Sequence, residues 1–120
     1  MKKDLDISRI LKYLAAMNER DASDMYLTVG FPPSVRIDDR LEKVSETDLA
    51  HEDINEVLSV ILTNRQRREF EENLELNTSL DAGEYGRFRV NILRQRQFPA
   101  LVIRRIISKI PGFSDLGLPD

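Results

Sequence analysis

Between Arg87 and Lys109 the chain holds seven basic residues (Arg87, Arg89, Arg94, Arg96, Arg104, Arg105, Lys109) and no acidic one, although the formal net charge of all 120 residues is −3. A guanidinium stays protonated and carries a fork of donors, so it suits carboxylates and phosphates rather than proton transfer. The chemistry such a segment offers is anion binding in a local cationic field.

The spacing within "GRFRVN" sharpens this. In a β-strand Phe88, Val90 and Ile92 point one way, and Arg87, Arg89 and Asn91 point the other. If the strand containing "ALVIRRI" returns antiparallel, one register joins Ile92 to Leu101 and Val90 to Ile103 on the apolar face. That register sets Arg89 directly opposite Arg104, a destabilising pair of like charges unless an anion sits nearby. The anion is either a ligand phosphate or an acidic side chain, and Glu75, Asp81 and Glu84 of the preceding strand and turn are the nearest candidates in sequence. The plainer alternative is that the arginines stay solvated, since exposed ion pairs contribute only about 0–1 kcal/mol. The connecting "RQRQFP" lacks glycine, and a shift of one residue there would separate the two arginines.

Other chemistries find less support. His51 is the single histidine and reads as a surface or capping residue beside Glu52 and Asp53. None of the five glycines is followed by lysine, so the chain has no GxxxxGK[ST] loop and cannot by itself hydrolyse ATP by P-loop chemistry. Asp38 and Asp39 are neighbours in a turn and point apart, which disfavours a metal site. Phe88 alternates inward, leaving no exposed ring for nucleic-acid stacking, so no nucleic-acid partner is expected. Cysteine is absent, which excludes disulfides and thiolate metal sites. No run approaches the roughly 18 apolar residues of a membrane span, and Asp4, Asp6 and Arg9 interrupt any signal-like start.

The elements that must hold the arginines follow from periodicity. With 41% hydrophobic and 32% charged residues, the chain is expected to fold as one domain with one core. Asp6 caps a helix with Ile7, Ile10, Leu11, Leu14 and Met17 on one stripe. Strands are expected at Met25–Val29 and Ser34–Ile37, separated by Gly30 and two prolines, with a tight turn at 38–40 and a short strand at Leu41–Val44. Ile54, Val57, Leu58, Ile61 and Leu62 predict a second helix ending near Thr63. Thr63 and Gln66 form a capping box for a third, mostly exposed helix anchored by Phe70 and Leu74. Alternation at Leu76, Thr78 and Leu80, the "GEYG" turn and the two arginine-bearing strands complete a meander. The whole is an α+β domain with an antiparallel sheet of five or six strands covered by helices. "SKIPGFSDLGLPD" reads as linker.

Four ordered blocks, "ASDMYLTVGFPPSVRIDDRL", "RQRREFEEN", "GRFRVN" and "IRRIISKIP...LGLP", resemble the N-terminal domain of the type IV pilus retraction ATPases, the PilT/PilU-like twitching-motility branch of the secretion ATPase superfamily. The resemblance runs from about Ile7 to Pro119. It implies a PAS-like domain over 1–109 and the start of an interdomain linker over 110–120, leading to a RecA-like ATPase domain that the 120 residues do not contain. It implies a cytoplasmic homo-hexamer, peripheral to the inner membrane through the pilus platform, that uses ATP with magnesium to drive pilus disassembly. By motif, Arg89 and Arg104 are the arginines that would reach the ATP phosphates, with Arg87, Arg96 and Arg105 as lesser candidates. One departure is Tyr26, in "DMYL", where relatives commonly have histidine; packing is its expected role. Two alternatives stay open: a freestanding interaction module that never meets ATP, and the equivalent domain of a pilus-extension or type II secretion ATPase.

Overall fold

A computed structural model describes residues 8–95 and 98–106. The elements in order are α1 (Ser8–Glu19), β1 (Asp24–Thr28), β2 (Ser34–Ile37), β3 (Arg40–Lys43), α2 (His51–Ile61), α3 (Asn64–Asn73), β4 (Glu75–Asp81), a single 3-10 turn at Gly83–Tyr85, β5 (Arg87–Gln95) and β6 (Phe98–Ile106). The strands form one antiparallel sheet in the order β3-β2-β1-β6-β5-β4. The expected α+β class is therefore observed, with six strands.

Alternation sorts the strands into two faces. Met25, Leu27, Val35, Leu76, Phe88, Val90, Ile92, Leu101 and Ile103 point to one side and are buried there with Ile10, Leu14 and Met17 of α1, Ile54, Val57 and Leu58 of α2, and Phe70 of α3. Each large apolar side chain fully enclosed in this way contributes about 1.5–3 kcal/mol. The other side of β1, β6, β5 and β4 carries Asp24, Tyr26, Val102, Arg104, Arg89, Asn91, Asn77 and Ser79, and no described helix packs on it.

The local signals act as expected at most boundaries. Thr63 Oγ1 accepts from the Gln66 amide at 3.1 Å and the Gln66 side chain accepts from the Thr63 amide at 3.0 Å, closing the capping box of α3. At α2 the Ala50 amide donates to Asp53 Oδ2 at 2.8 Å, so an acidic residue in the first turn satisfies the chain where Ala50 has no side-chain acceptor. Asp38, at φ 56°, turns β2 into β3, which starts one residue before the expected Leu41.

Two expectations about packing are corrected. Leu11 is only half-buried, and Tyr13 takes the buried place on α1 because its ring is in the core while its hydroxyl stays beside Arg9. Leu74 does not anchor α3: it is the C-cap in the left-handed region, φ 65°, where its amide caps Phe70 O at 2.7 Å and its side chain faces solvent. Leu41 is exposed because β3 is the sheet edge and Leu41 stands on the open face, opposite Arg36. Asp6 and Ile7, the two residues of the "RQRQFP" turn at 96–97, and the linker reading for 110–120 lie outside the described residues.

Candidate functional site

The register of β5 and β6 joins Ile92 to Leu101, Val90 to Ile103 and Arg89 to Arg104. The two arginines thus stand side by side on the open face, as alternation predicts. Extending the same register gives one line across the whole sheet: Leu41, Arg36, Asp24, Arg104, Arg89 and Ser79. Its charged members are three cations and one anion.

Asp24 is the anion that the sequence did not reveal. It is the one charged residue buried among those described, and Arg104 Nε donates to its Oδ1 at 2.9 Å. Ser23 Oγ donates to Oδ2 at 2.9 Å, and Arg36 Nε lies 3.8 Å from the same oxygen. The hydrogen bond and charge of Asp24 raise the Arg104 pKa above its usual value; Arg36 is raised as well, first by its hydrogen bond to the Tyr26 hydroxyl. Both therefore stay cationic at any physiological pH. The Arg104 side chain remains largely exposed, 66%, whereas the Asp24 side chain is 9% exposed.

Arg104 therefore already has a carboxylate partner, the acidic-side-chain alternative of the sequence reading. Glu75, Asp81 and Glu84 do not supply it. The physical reason is strand order: β6 lies between β5 and β1, so Arg104 meets an acid from near the start of the chain. Arg89 is different. It is exposed and makes no ion pair or side-chain hydrogen bond with any described residue. Beside it Asn91 donates its amide to Asn77, and Asn77, Arg89, Asn91, Val102 and Arg104 line a shallow depression of about 330 Å³.

The lesser candidates separate. Arg87 is exposed on the same face, one step along β5, opposite Asp81 and Ile106. Arg105 points to the opposite side and is bound by Asp21 at 2.6 Å, so it is not available to the open face. Arg94 also faces inward, over the Phe70 ring and 3.2 Å from Glu71. Arg96 lies outside the described residues. Tyr26 is half-buried on the open face, where its hydroxyl accepts from Arg36 Nε at 3.2 Å. His51 starts α2, exposed, with its ring edge-on to Phe98.

A larger depression, about 500 Å³, lies between α1, α2 and the loops after β1 and β3. Its arginine, Arg9, is already held by Asp53 and Glu56, both at 3.1 Å. Among the described residues no group of three His, Cys, Asp or Glu side chains is placed to hold a metal, and no helix is long and apolar enough to cross a membrane.

A six-stranded antiparallel sheet covered on one side by three helices is the fold of the N-terminal domain of a pilus retraction ATPase. The solved structure of the pilus retraction motor PilT with bound ADP superposes with a TM-score of 0.76 and 36% identity, covering 98% of this chain and 34% of that one. The ATPase DotB of Legionella pneumophila shares the fold, with a TM-score of 0.67 and 21% identity over 95% of this chain and 32% of its own. In sequence the chain is 38% identical over 109 residues to the type IV pilus ATPase PilU of Pseudomonas aeruginosa, covering 91% of this chain and 28% of PilU. It is 32% identical over 114 residues to PilT of the same organism, covering 95% of this chain and 32% of PilT. No family model matches. The chain belongs to the family of the type IV pilus ATPases PilT and PilU, and spans about a third of the length of the relatives it matches.

Proposed function

We propose that this chain is the N-terminal domain of a hexameric pilus retraction ATPase, in which Arg89 and Arg104 contact the phosphates of ATP. The nucleotide is held mainly by a RecA-like domain of the same or a neighbouring subunit, and residues 110–120 lead toward that domain. Movement of the small domain against the large one then drives pilus disassembly at the cytoplasmic side of the inner-membrane platform. The observation that carries this reading is Arg89: an exposed guanidinium without a counterion among the described residues, directly opposite a second arginine. The ADP bound in the PilT structure supports nucleotide as the anion.

The residues present fit a phosphate. Two forks of donors side by side on an open face can share one anion, and binding relieves the repulsion between them. Magnesium, when bound with ATP, would neutralise phosphate charge; its ligands belong to the ATPase domain in this reading.

The test is ATPase turnover in the protein that joins this domain to its ATPase domain. Arg89→Ala and Arg104→Ala are each expected to lower turnover at least about tenfold, the direction seen when a phosphate-contacting arginine is removed, with the small domain still folded. Unchanged turnover in both variants rejects the nucleotide role. The 120-residue chain alone is expected to bind ATP more weakly than micromolar by calorimetry, because two arginines lack the phosphate-cradling loop and metal that dominate affinity.

A further inference from the structure

Arg104 gives its Nε to Asp24, so a phosphate that binds the fork made by Nε and one Nη competes with Asp24 for that donor. Asp24 is nearly enclosed, and removing one partner from an enclosed ion pair is strongly unfavourable because it strands a charge. If Arg104 simply left, Asp24 would keep only the Ser23 hydroxyl as a hydrogen-bond donor. Its charge would also repel the incoming anion.

The structure places a second cation in reserve. Arg36 stands opposite Asp24 in the β1–β2 register, with Nε 3.8 Å from Oδ2. At that distance it is attracted but makes no hydrogen bond to the carboxylate. Its Nε donates instead to the Tyr26 hydroxyl at 3.2 Å, and its guanidinium lies 6.0 Å from the centre of the Tyr26 ring. The Arg36 side chain is 42% exposed, so it has room to turn. Asp24 is thus flanked by one bonded arginine and one parked arginine.

We infer that Asp24 and Arg36 are positioning residues for Arg104: Asp24 holds the Arg104 Nε when no phosphate is present, and Arg36 takes over Asp24 when Arg104 turns that fork to one. This rests on the phosphate reading, with the exchange itself a property of these three side chains. Arg89, which has no carboxylate to leave, makes the first contact. Arg104 joins once the anion competes successfully with Asp24, and Arg36 lowers the cost of that step.

The exchange is tested first without ligand. R36Q and R104Q each leave Asp24 one arginine, so each is expected to lower the melting midpoint slightly, and the double variant to lower it by several times the sum. An additive double variant overturns the exchange. Inorganic tripolyphosphate is then titrated into the full chain and followed at the arginine Nε–H resonances. Signals of Arg89, Arg104 and Arg36 are expected to move together in the unaltered protein. R36Q should weaken tripolyphosphate binding severalfold, R36K should restore it, and D24N should tighten it severalfold. If tripolyphosphate moves Arg89 and Arg104 but R36Q and D24N bind it as the unaltered chain does, the positioning roles fall and the phosphate reading stands. If neither arginine responds in the unaltered chain or in D24N, the phosphate reading fails and removes this one with it.

Discussion

The two faces of the same six-stranded sheet obey different rules. On the helix-covered face, side chains from five strands and three helices interdigitate in one cluster, and each is fixed by its neighbours. On the open face, a line of charged residues keeps its geometry through register, while its arginine side chains stay half-buried or exposed. Residues two positions apart on one strand thus share a rigid backbone and differ from their alternate neighbours in what holds them. Stability is concentrated on one side and adaptable charge on the other.

That contrast can be broken by substitution. Phe88→Ala, next to Arg89 in sequence but fully enclosed, should cost about 3–5 kcal/mol in denaturant unfolding; a loss below about 1 kcal/mol would mean that the covered face is not close-packed. Thr63→Ala removes the cap of a helix in the covering layer and should cost about 1 kcal/mol by the same measurement. Arg89→Ala should change stability by less than about 0.5 kcal/mol, and in the stabilising direction, since it deletes a like-charge contact and no partner. A destabilisation above about 1 kcal/mol would show that Arg89 is fixed by structure and would weaken its assignment as a ligand contact.

How much of this was legible beforehand depended on whether a feature is local. The capping box at Thr63, the two-residue turn at Asp38 and the Arg89–Arg104 register all follow from short-range pattern, because alternation with period two leaves few ways to join the apolar sides of adjacent strands. Asp24 was not found, although alternation with Met25 and Leu27 already placed it facing outward. What was missing was strand order: only the insertion of β6 beside β1 brings Asp24 to Arg104. The same gap made the run from Arg87 to Lys109 look uniformly cationic, whereas Arg94, Arg104 and Arg105 draw on Glu71, Asp24 and Asp21 from distant elements. The burial errors at Leu11 and Leu74 are of another kind. A leucine reads as core by type, but a helix end and the edge of a stripe decide its exposure.

β6 has a consequence for how the molecule forms. Among the described residues it is the last strand and the only bridge between the β3-β2-β1 half of the sheet and the β5-β4 half. A growing polypeptide can therefore make two separate hairpin-based pieces early, yet it cannot join them into one sheet until β6 emerges and pairs with both. Contacts between strands far apart in sequence are slow to form, so premature termination before Phe98 should yield one chain with two unjoined parts of the sheet and exposed strand edges, a form prone to aggregation.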